Sequence, residues 1–437
     1  MRIELLPSAR LPMASSWSPH PRYRLYTAAA DYRSMLWDTR YTPSAVDNFE
    51  QEVCRRFDVA AAVCVPMARA GLYLLLREMI RPGQRVILSP LTIVDVVNAV
   101  LFAGGIPVFA DIVRRSCGMD INAADSLIDV STGAVLLTHL HGEAAEAHNF
   151  RELCRRRGVR LIEDCAQAFG ATEFGKRLGT IGDAGIYSFG FYKNLTTWRG
   201  GMVVSNDAEL IQRIRKQLRE LEQLSRWRLL LRMFAAFVVD VATYPPVFAA
   251  FTHPLVRRNC GIISRQLDPE HKAARRTHMP EDHLRRMRNS QASIGIRKLD
   301  GVDHDANCRI EHAKQYHDGL DGLDGSVTPK RRDGLSHVYS YFPIQVTDRE
   351  SLLRYSLQRR RDFAAQHLRN CADLPMFSEF RRDCPNARAA ARELVLLPTY
   401  PRYPASEVKK NIEVICEFVR RRSDGRPEET ASRVSRA

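Results

Sequence analysis

The sequence lacks the closely spaced cysteines of a zinc site or a redox motif. Its ten cysteines are spread over 437 residues without a CxxC pair, so we expect reduced thiols that lie mostly in the core, and no metal site. The N-terminal residues lack the basic segment followed by an apolar run that marks a secretory signal. Both absences favour a cytoplasmic protein.

The sequence also has no low-complexity tract and no internal repeat, apart from a polar tail at 421–437 that we expect to be disordered. Lysine and arginine outnumber aspartate and glutamate by 65 to 50, which gives a net charge of +15. Such an excess can serve nucleic-acid binding, but the basic residues are scattered and no nucleic-acid module accompanies them. We therefore expect no nucleic-acid partner, and anionic substrates or anionic lipid headgroups are the next interpretation.

Helix-like and strand-like segments alternate from residue 46 onward, which is typical of a parallel sheet with crossover helices. We predict an α/β fold in which an N-terminal arm (1–45) precedes a large domain (46–207) with a mixed, mostly parallel sheet flanked by helices. A helical region (208–285), which opens with a charged helix predicted over 209–226, leads to a linking helix and a smaller C-terminal α+β domain (286–420). Sheets of this kind bind ligands where loops leave the carboxyl ends of strands.

Two of these strand ends carry residues suited to pyridoxal phosphate (PLP). Asp164 ends the predicted strand VRLIED, and Gln167 follows by three residues. A carboxylate opposite a pyridine nitrogen keeps it protonated, as PLP chemistry requires, although a lone aspartate here is more often a helix cap. Lys193 lies in the loop segment SFGFYKN, where burial would lower the pKa of its amine and let it attack an aldehyde. Ser188, five residues earlier, could bind a phosphate.

A third feature is the turn from Pro66 into a predicted helix over 67–80. A helix start offers unpaired N–H groups and the positive end of the helix dipole to a phosphate. Ala68 and Arg69 lie at that start, and the guanidinium could add a phosphate contact. Helix starts after strands are common, so this feature carries weight only together with the other two.

Five segments in their order resemble the DegT/StrS-like sugar aminotransferases, a family of fold-type I PLP enzymes, from about residue 40 to residue 418. The segments are THLHGEA from Thr138, LIEDCAQAFGA around Asp164, SFGFYKN with the following GGMVVSND, RRMRNSQASIG ending at Gly295, and LLPTYPRYPASEV from Leu396.

The resemblance implies a homodimeric, PLP-dependent aminotransferase with active sites at the subunit interface. It would move an amino group, usually from glutamate, to a keto group on a nucleotide-linked sugar. Lys193 would hold PLP as a Schiff base and move the proton between the donor and the cofactor. Asp164 would pair with the pyridine nitrogen, and Gln167 would bind the ring hydroxyl.

The phosphate would be held by Ser188 and by the helix start at Ala68 and Arg69, where the family usually has Gly-Thr. Three further positions depart from the family. They are Ile93 in place of an aromatic residue that stacks on the ring, Leu284 in place of an asparagine given by the neighbouring subunit, and Arg199, after Trp198, in place of an acidic residue. We expect PLP binding with an altered substrate pocket.

An apolar segment over 227–258 has no counterpart in the usual family members. It contains Asp240 and the pair Pro245-Pro246 and is flanked by arginines, so we predict two short helices hinged at the prolines rather than a straight transmembrane helix. They would dip into one leaflet at the inner membrane face, pack against the dimer, or cover the active site. The basic flanks favour membrane contact.

The same residues leave room for different functions. Relatives that dehydrate sugars replace the Schiff-base lysine by histidine, so Lys193 favours transamination. Two further hypotheses are a membrane-associated family member that acts on a lipid-linked substrate and a non-catalytic protein with the PLP-enzyme fold.

Overall fold

The computed structural model describes residues 18–25, 27–37, 45–258 and 274–423. Its strands, in chain order, are β1 (Ala61–Val65), β2 (Arg85–Leu88), β3 (Leu91–Thr92), β4 (Ile106–Phe109), β5 (Thr132–Thr138), β6 (Arg160–Asp164), β7 (Thr172–Glu173), β8 (Lys176–Arg177), β9 (Ala184–Ser188), β10 (Gly201–Ser205), β11 (Ser326–Val327), β12 (Phe342–Val346), β13 (Ala364–Ala365), β14 (Arg369–Asn370) and β15 (Leu394–Leu397).

The central sheet has seven strands in the order β1-β10-β9-β6-β5-β2-β4. Only β10 runs against its neighbours, and the remaining pairs are parallel. The predicted mixed, mostly parallel sheet is therefore confirmed. All seven residues of β5 are buried. Because side chains of a strand alternate between faces, Leu136 packs with Val86 and Ile162 in one core, whereas Val135 packs with Leu161 in the core on the other face.

Helices cover both faces of the sheet and continue into the C-terminal part. They are α1 (Ala29–Trp37), α2 (Ala45–Phe57), α3 (Ala68–Met79), α4 (Val94–Phe102), α5 (Ile121–Asp125), α6 (Ala147–Arg157), α7 (Ala208–Arg219), α8 (Arg226–Ala242), α9 (Pro245–Arg258), α10 (Asn289–Leu299), α11 (Val302–Leu320), α12 (Arg349–Gln358), α13 (Pro385–Glu393) and α14 (Ala405–Ser423).

A second sheet, in the order β11-β12-β15-β13, lies in the C-terminal part of the chain. It shares an apolar core with α11 and α14, where Ile344, Tyr316 and Ile415 are all buried. The short strand β14 pairs instead with β3, next to the carboxyl end of β2. The C-terminal part therefore reaches the edge of the large sheet where ligands are expected, and the domain boundaries given above stay predictions.

The helical region differs from the prediction in one respect. A single charged helix over 209–226 is wrong, because α7 ends at Arg219 and α8 begins at Arg226. Ser225 starts α8, since its hydroxyl accepts the N–H of Arg228 at 3.3 Å, as a helix N-cap does.

The apolar segment forms two helices, as predicted. α8 and α9 meet at an angle of 68° on either side of residues 243–244, directly before Pro245-Pro246. Within the described ranges, no single helix is both long and apolar enough to cross a membrane. Only the bent pair of α8 and α9, taken together, has that length and composition.

The nine cysteines within the described ranges are all free thiols, as expected. Cys260, the polar tail beyond residue 423, and the predicted N-terminal arm at 1–17 and 38–44 lie outside those ranges.

The central strand β5 supplies a test of the core. Leu136→Ala removes a fully buried side chain and should lower the free energy of unfolding by about 2–5 kcal/mol, because the cavity cannot close completely. Val130→Ala, just before the strand and fully exposed, should change it by less than about 0.5 kcal/mol. Urea unfolding followed by circular dichroism measures both, and equal midpoints for the two variants would contradict this core.

Candidate active site

The predicted site residues gather at one edge of the central sheet. Asp164 ends β6 and Ser188 ends β9, two neighbouring parallel strands. Because β10 is reversed, it starts at this same edge, where Gly201 lies opposite Ser188. Strand ends that are far apart in the sequence thus converge, as the predicted topology requires.

Lys193 is under the electrostatic influence of a carboxylate and a guanidinium. Its side chain is half-buried, and burial lowers the pKa of its amine, Asp164 opposes that effect, and Arg69 adds to it. No hydrogen bond or ion pair to another described residue holds the amine. Tyr192, the preceding residue, has a left-handed backbone with φ of 61°, a conformation rare outside glycine. The loop thus presents a lysine that loses its proton more easily than a free one.

The carboxyl of Asp164 is buried and has a raised pKa, chiefly because burial disfavours its charged form. The N–H of Ala166 donates to Oδ1 at 3.0 Å, and this bond, Lys193 and His139 lower the pKa in part. A ring cation placed against this carboxylate would compensate its burial cost.

Hydrogen bonds of Glu163 and His139 fix the carboxyl end of β6, which carries Asp164. Both carboxylate oxygens of Glu163 accept hydrogen bonds, from the N–H groups of Gly179, Ile181 and Gly182 at 2.6–2.9 Å and from His139 Nε2 at 3.1 Å. His139 Nδ1 accepts the N–H of Ala145 at 3.1 Å, so the Nε2 nitrogen carries the proton.

Although burial alone would raise the pKa of Glu163, its hydrogen bonds hold that pKa below the usual range. Cys165 lies close enough to complete a metal-like trio with His139 and Glu163. The hydrogen bonds already occupy both imidazole nitrogens and both carboxylate oxygens, so this trio supports the strand end rather than binding a metal.

The start of α3 approaches the sheet very closely. A Cβ on Gly201 would lie 2.8 Å from the backbone nitrogen of Ala68 and 2.6 Å from the carbonyl oxygen of Tyr187, so only glycine fits. Met67 precedes α3 without a side-chain cap, which leaves the first N–H groups of the helix available to a ligand. Ala68 and Ser188 therefore meet on either side of Gly201, as a phosphate site requires.

Arg69 forms an ion pair with Asp95 in the first turn of α4. Asp95 also lies 3.8 Å from Arg276, so it shares its charge between two guanidiniums. Arg69 is half-exposed and acts on the pKa of both Lys193 and His283. The pair orients the guanidinium at the helix start, while Asp95 reduces the positive charge that a phosphate would meet.

Gln167 is oriented by a contact that sequence reasoning missed. Its Oε1 accepts the N–H of His141 at 3.0 Å, which leaves the amide nitrogen as the group that can donate to a cofactor oxygen. The hydroxyl of Ser340 lies within hydrogen-bond distance of both the Gln167 carbonyl oxygen and Asn194 Oδ1. Ser340 thereby connects the Asp164 loop to the lysine loop.

The second missed contact is made by Gln366, whose amide nitrogen lies 2.8 Å from His141 Nε2. Burial lowers the pKa of His141 to about 3, with His367 contributing, so the imidazole accepts this bond in its neutral form. Ser340 and Gln366 come from the C-terminal part of the chain. No local pattern in the sequence marks them.

Arg199, one of the positions where the resemblance leads us to expect a different residue, belongs to a network of ion pairs. Arg199 is 4% exposed, and its guanidinium binds the side chain and the carbonyl oxygen of Asp282. Arg228, in the first turn of α8, pairs with the same aspartate. Burial lowers the pKa of Arg199 to about 10, with Arg228 and Arg69 adding to the shift.

The other positions that are expected to differ from the family are Trp198, Leu284 and Ile93. Trp198 is fully buried, and its ring packs against Tyr32 of α1 at 5.6 Å. Leu284 ends the short helical turn Glu281–Leu284, which contacts α3 of its own chain. Ile93 precedes α4 and packs partly buried on the core.

Comparison with known proteins decides the family. A sequence model of the DegT/DnrJ/EryC1/StrS aminotransferase family matches residues 33–233 and 256–416, most of the chain. The chain belongs to this family. It is therefore an aminotransferase and PLP-dependent.

Curated relatives of this aminotransferase include two enzymes whose names state a nucleotide-linked sugar. GDP-perosamine synthase of Vibrio cholerae is 27% identical over 387 residues, which cover 86% of this chain and 90% of the relative. UDP-N-acetyl-3-dehydro-alpha-D-glucosamine 3-aminotransferase of Acidithiobacillus ferrooxidans is 28% identical over 376 residues, with 84% and 86% covered.

Two solved structures have the same fold as this aminotransferase. DesV of S. venezuelae superposes with a TM-score of 0.70 at 24% identity and covers 90% of this chain and 94% of its own. Helicobacter pylori PseC gives 0.71 at 18% identity, with 92% and 99% covered. The predicted fold-type I architecture is thereby confirmed.

The residues at the sheet edge of this aminotransferase fit PLP. The half-buried Lys193 has a lowered pKa, Asp164 is a buried carboxylate that no cation of the described residues contacts directly, and α3 starts uncapped beside Ser188. These three groups match the aldehyde, ring nitrogen and phosphate of PLP in chemical character. The individual roles of the six site residues stay predictions.

The role of Arg69 can be tested separately from the roles of the other site residues. Arg69→Gln should weaken PLP binding about tenfold, because a charged contact to the phosphate is lost. It should also raise the pKa of Lys193, because a neighbouring like charge is removed. The rate of PLP uptake by the apoenzyme rises as Lys193 deprotonates, so its midpoint should move to higher pH.

Arg77→Gln is the matched control, since Arg77 lies exposed in the last turn of the same helix. Fluorescence titration gives the affinity, and stopped-flow absorbance gives the uptake rate. If Arg69→Gln leaves both unchanged, Arg69 serves only to neutralise Asp95.

Proposed function

We propose that this aminotransferase moves an amino group from an amino acid, with glutamate as the expected donor, to a keto group on a nucleotide-linked sugar. The observation that carries the proposal is that Lys193 follows β9, the neighbour of the strand that Asp164 ends, and that the two side chains interact electrostatically. The activities named for the relatives from Vibrio cholerae and Acidithiobacillus ferrooxidans support the substrate class.

Lys193 is the base of the proposed reaction. When bound, PLP supplies the aldehyde that takes up the amino group and the protonated ring that accepts electrons. Lys193 Nζ would hold the cofactor between turnovers. It would move the proton from Cα of the amino donor to the cofactor in the first half-reaction, and from the cofactor to the sugar carbon that receives nitrogen in the second. Its lowered pKa suits this work, because a free amine is needed to accept a proton near neutral pH.

Asp164 keeps the opposite end of the site negative. Its carboxylate would hold the ring proton, and the hydrogen bonds of Glu163 and His139 fix the strand end that carries it. Gln167 would donate its amide N–H to the ring oxygen. None of these residues needs to move during turnover, so the site is preorganised.

The cationic surroundings suit the proposed substrates. Arg69 and Arg228 both act electrostatically on Arg199. Their carboxylate partners are Asp95 for Arg69 and Asp282 for Arg199 and Arg228. A glutamate donor carries two carboxylates, and a nucleotide-linked sugar carries a diphosphate. Both are attracted by a cluster in which arginines outnumber aspartates.

Two variants test the catalytic roles. Lys193→Ala should abolish amino transfer and the visible absorbance of lysine-bound PLP. Asp164→Asn should keep the covalent link but lower kcat by about 10²–10³, the range expected when one preorganised electrostatic contact is lost. Lys176→Ala, which removes an exposed lysine on β8, is the control and should behave as the unchanged enzyme.

The substrate class is tested in two half-reactions. Glutamate should convert bound PLP to its amino form, measured by absorbance, and a nucleotide-linked keto sugar should convert it back. If glutamate reacts and no nucleotide-linked keto sugar does, the substrate class is wrong while the aminotransferase assignment stands. A protein unable to take up PLP would contradict both.

We also infer that the enzyme is a cytoplasmic homodimer. The free thiols suit a reducing compartment, and the resemblance to dimeric enzymes with shared active sites supports the assembly. Sedimentation velocity should give about twice the chain mass of 49.7 kDa. A fully active monomer at assay concentration would contradict the dimer.

A further inference from the structure

Most of α8 and α9 is an addition to the family scaffold. The family match stops at residue 233 and resumes at 256, so residues 234–255 fall outside it. The catalytic residues all lie within the matched part. A separate role for the added helices must therefore be sought in their own surface.

The outer face of α8 is an exposed apolar stripe. Of the described residues, fifteen large apolar side chains are exposed, and nine of them lie between Trp227 and Leu255. Five follow one another along α8 at spacings of four and three residues, which places them on one side of a helix. They are Trp227, Leu231, Phe234, Val238 and Val241.

The inner face of α8 fixes the direction in which this stripe points. Leu229 and Ala236 are buried against Trp198 and the α10 residue Ile294. Asp240, the single carboxylate of the segment, accepts a hydrogen bond from the hydroxyl of Tyr32 at 3.1 Å. Burial, with Asp240 contributing, raises the pKa of Tyr32 to about 12, so this donor keeps its proton at physiological pH.

The second helix extends the exposed apolar surface. In α9, Phe248 and His253 are buried, whereas Phe251 is 73% and Leu255 is 56% exposed. The bend of 68° between the helices prevents them from forming one long rod. The nine exposed apolar side chains from Trp227 to Leu255, which include Phe237 and Tyr244, are called the outer surface below.

Charge decides which partner suits the outer surface. Arginines lie exposed at both ends of the segment, Arg226 and Arg228 before it and Arg257 and Arg258 after it. A second copy of α8 and α9 would bring arginines near arginines in either orientation, because the one carboxylate is turned inward. An anionic lipid surface complements both ends and accepts the apolar side chains between them.

We propose that the outer surface docks the enzyme on anionic lipid bilayers, with the two helices lying in the interface rather than crossing it. Apolar side chains enter the boundary between headgroups and acyl chains, and the flanking arginines contact phosphates. Arg228 shares Asp282 with Arg199, six residues after Lys193. Docking therefore brings the lipid surface close to the ion pair of Arg199 and Asp282.

Vesicle co-sedimentation of the full-length, PLP-loaded enzyme tests the proposal. The enzyme should pellet with vesicles of equal parts phosphatidylglycerol and phosphatidylcholine, and at least about tenfold less with phosphatidylcholine alone. High salt should weaken binding, since exposed charges are screened. Trp227 fluorescence should shift to the blue on binding, and Trp227→Phe should remove that shift.

Three variants separate the contributions. The triple variant Phe234→Gln, Phe237→Gln and Phe251→Gln should lower the vesicle-bound fraction at least about tenfold, because apolar area no longer enters the interface. Arg257→Gln with Arg258→Gln should reduce the preference for anionic lipid. Phe174→Gln, at an 87% exposed site away from the segment, should bind vesicles as the unchanged enzyme does.

The same variants distinguish other partners for the outer surface. All of them should keep lysine-bound PLP, which shows that they fold, and they should keep the oligomeric state in sedimentation velocity. If the unchanged enzyme does not bind anionic vesicles, the proposal is wrong. If the triple variant dissociates an oligomer, the outer surface is a protein interface and the proposal is also wrong. The assay needs no turnover, so its result is independent of the proposed substrate.

Discussion

The electrostatic interaction between Lys193 and Asp164 is the constraint on which the site depends. Burial raises the pKa of the carboxyl and lowers that of the amine, and the two charges oppose these shifts in each other. The two groups form no hydrogen bond or ion pair with each other, so their electrostatic interaction depends on a backbone that holds both in place. The hydrogen-bonded Glu163 and the closely packed start of α3 supply that rigidity.

The sequence predicted those parts of the site that follow from strand ends. Asp164 and Ser188 end apolar segments whose alternation identifies a mostly parallel sheet, and the carboxyl ends of such strands meet at one edge. Ser340 and Gln366 could not be predicted, because their positions depend on how the C-terminal part packs against the sheet. The ion pair of Arg69 was missed because it depends on how α3 packs against α4, and 26 residues separate Arg69 from Asp95.

The departures from the family and the added helices are connected physically. Arg199, where the family resemblance leads us to expect an acidic residue, is compensated by Asp282, which also binds Arg228 at the start of α8. Arg199, which follows the lysine loop, and Arg228, at the start of α8, thus pair with the same carboxylate, that of Asp282. This explains why a buried arginine is tolerated beside the lysine loop: its charge is balanced, and the balancing group is itself fixed from two sides.

The hydrogen bond between Tyr32 and Asp240 sets the rotation of α8 about its own axis. Each added residue turns a helix by about 100°, so one insertion between Leu229 and Asp240 would separate the inner contacts from the outer stripe. Substitutions along the outer face can vary in size, whereas changes in length are constrained. The apolar side chains of the outer face can therefore vary in size while the phase of the helix relative to α1 stays fixed.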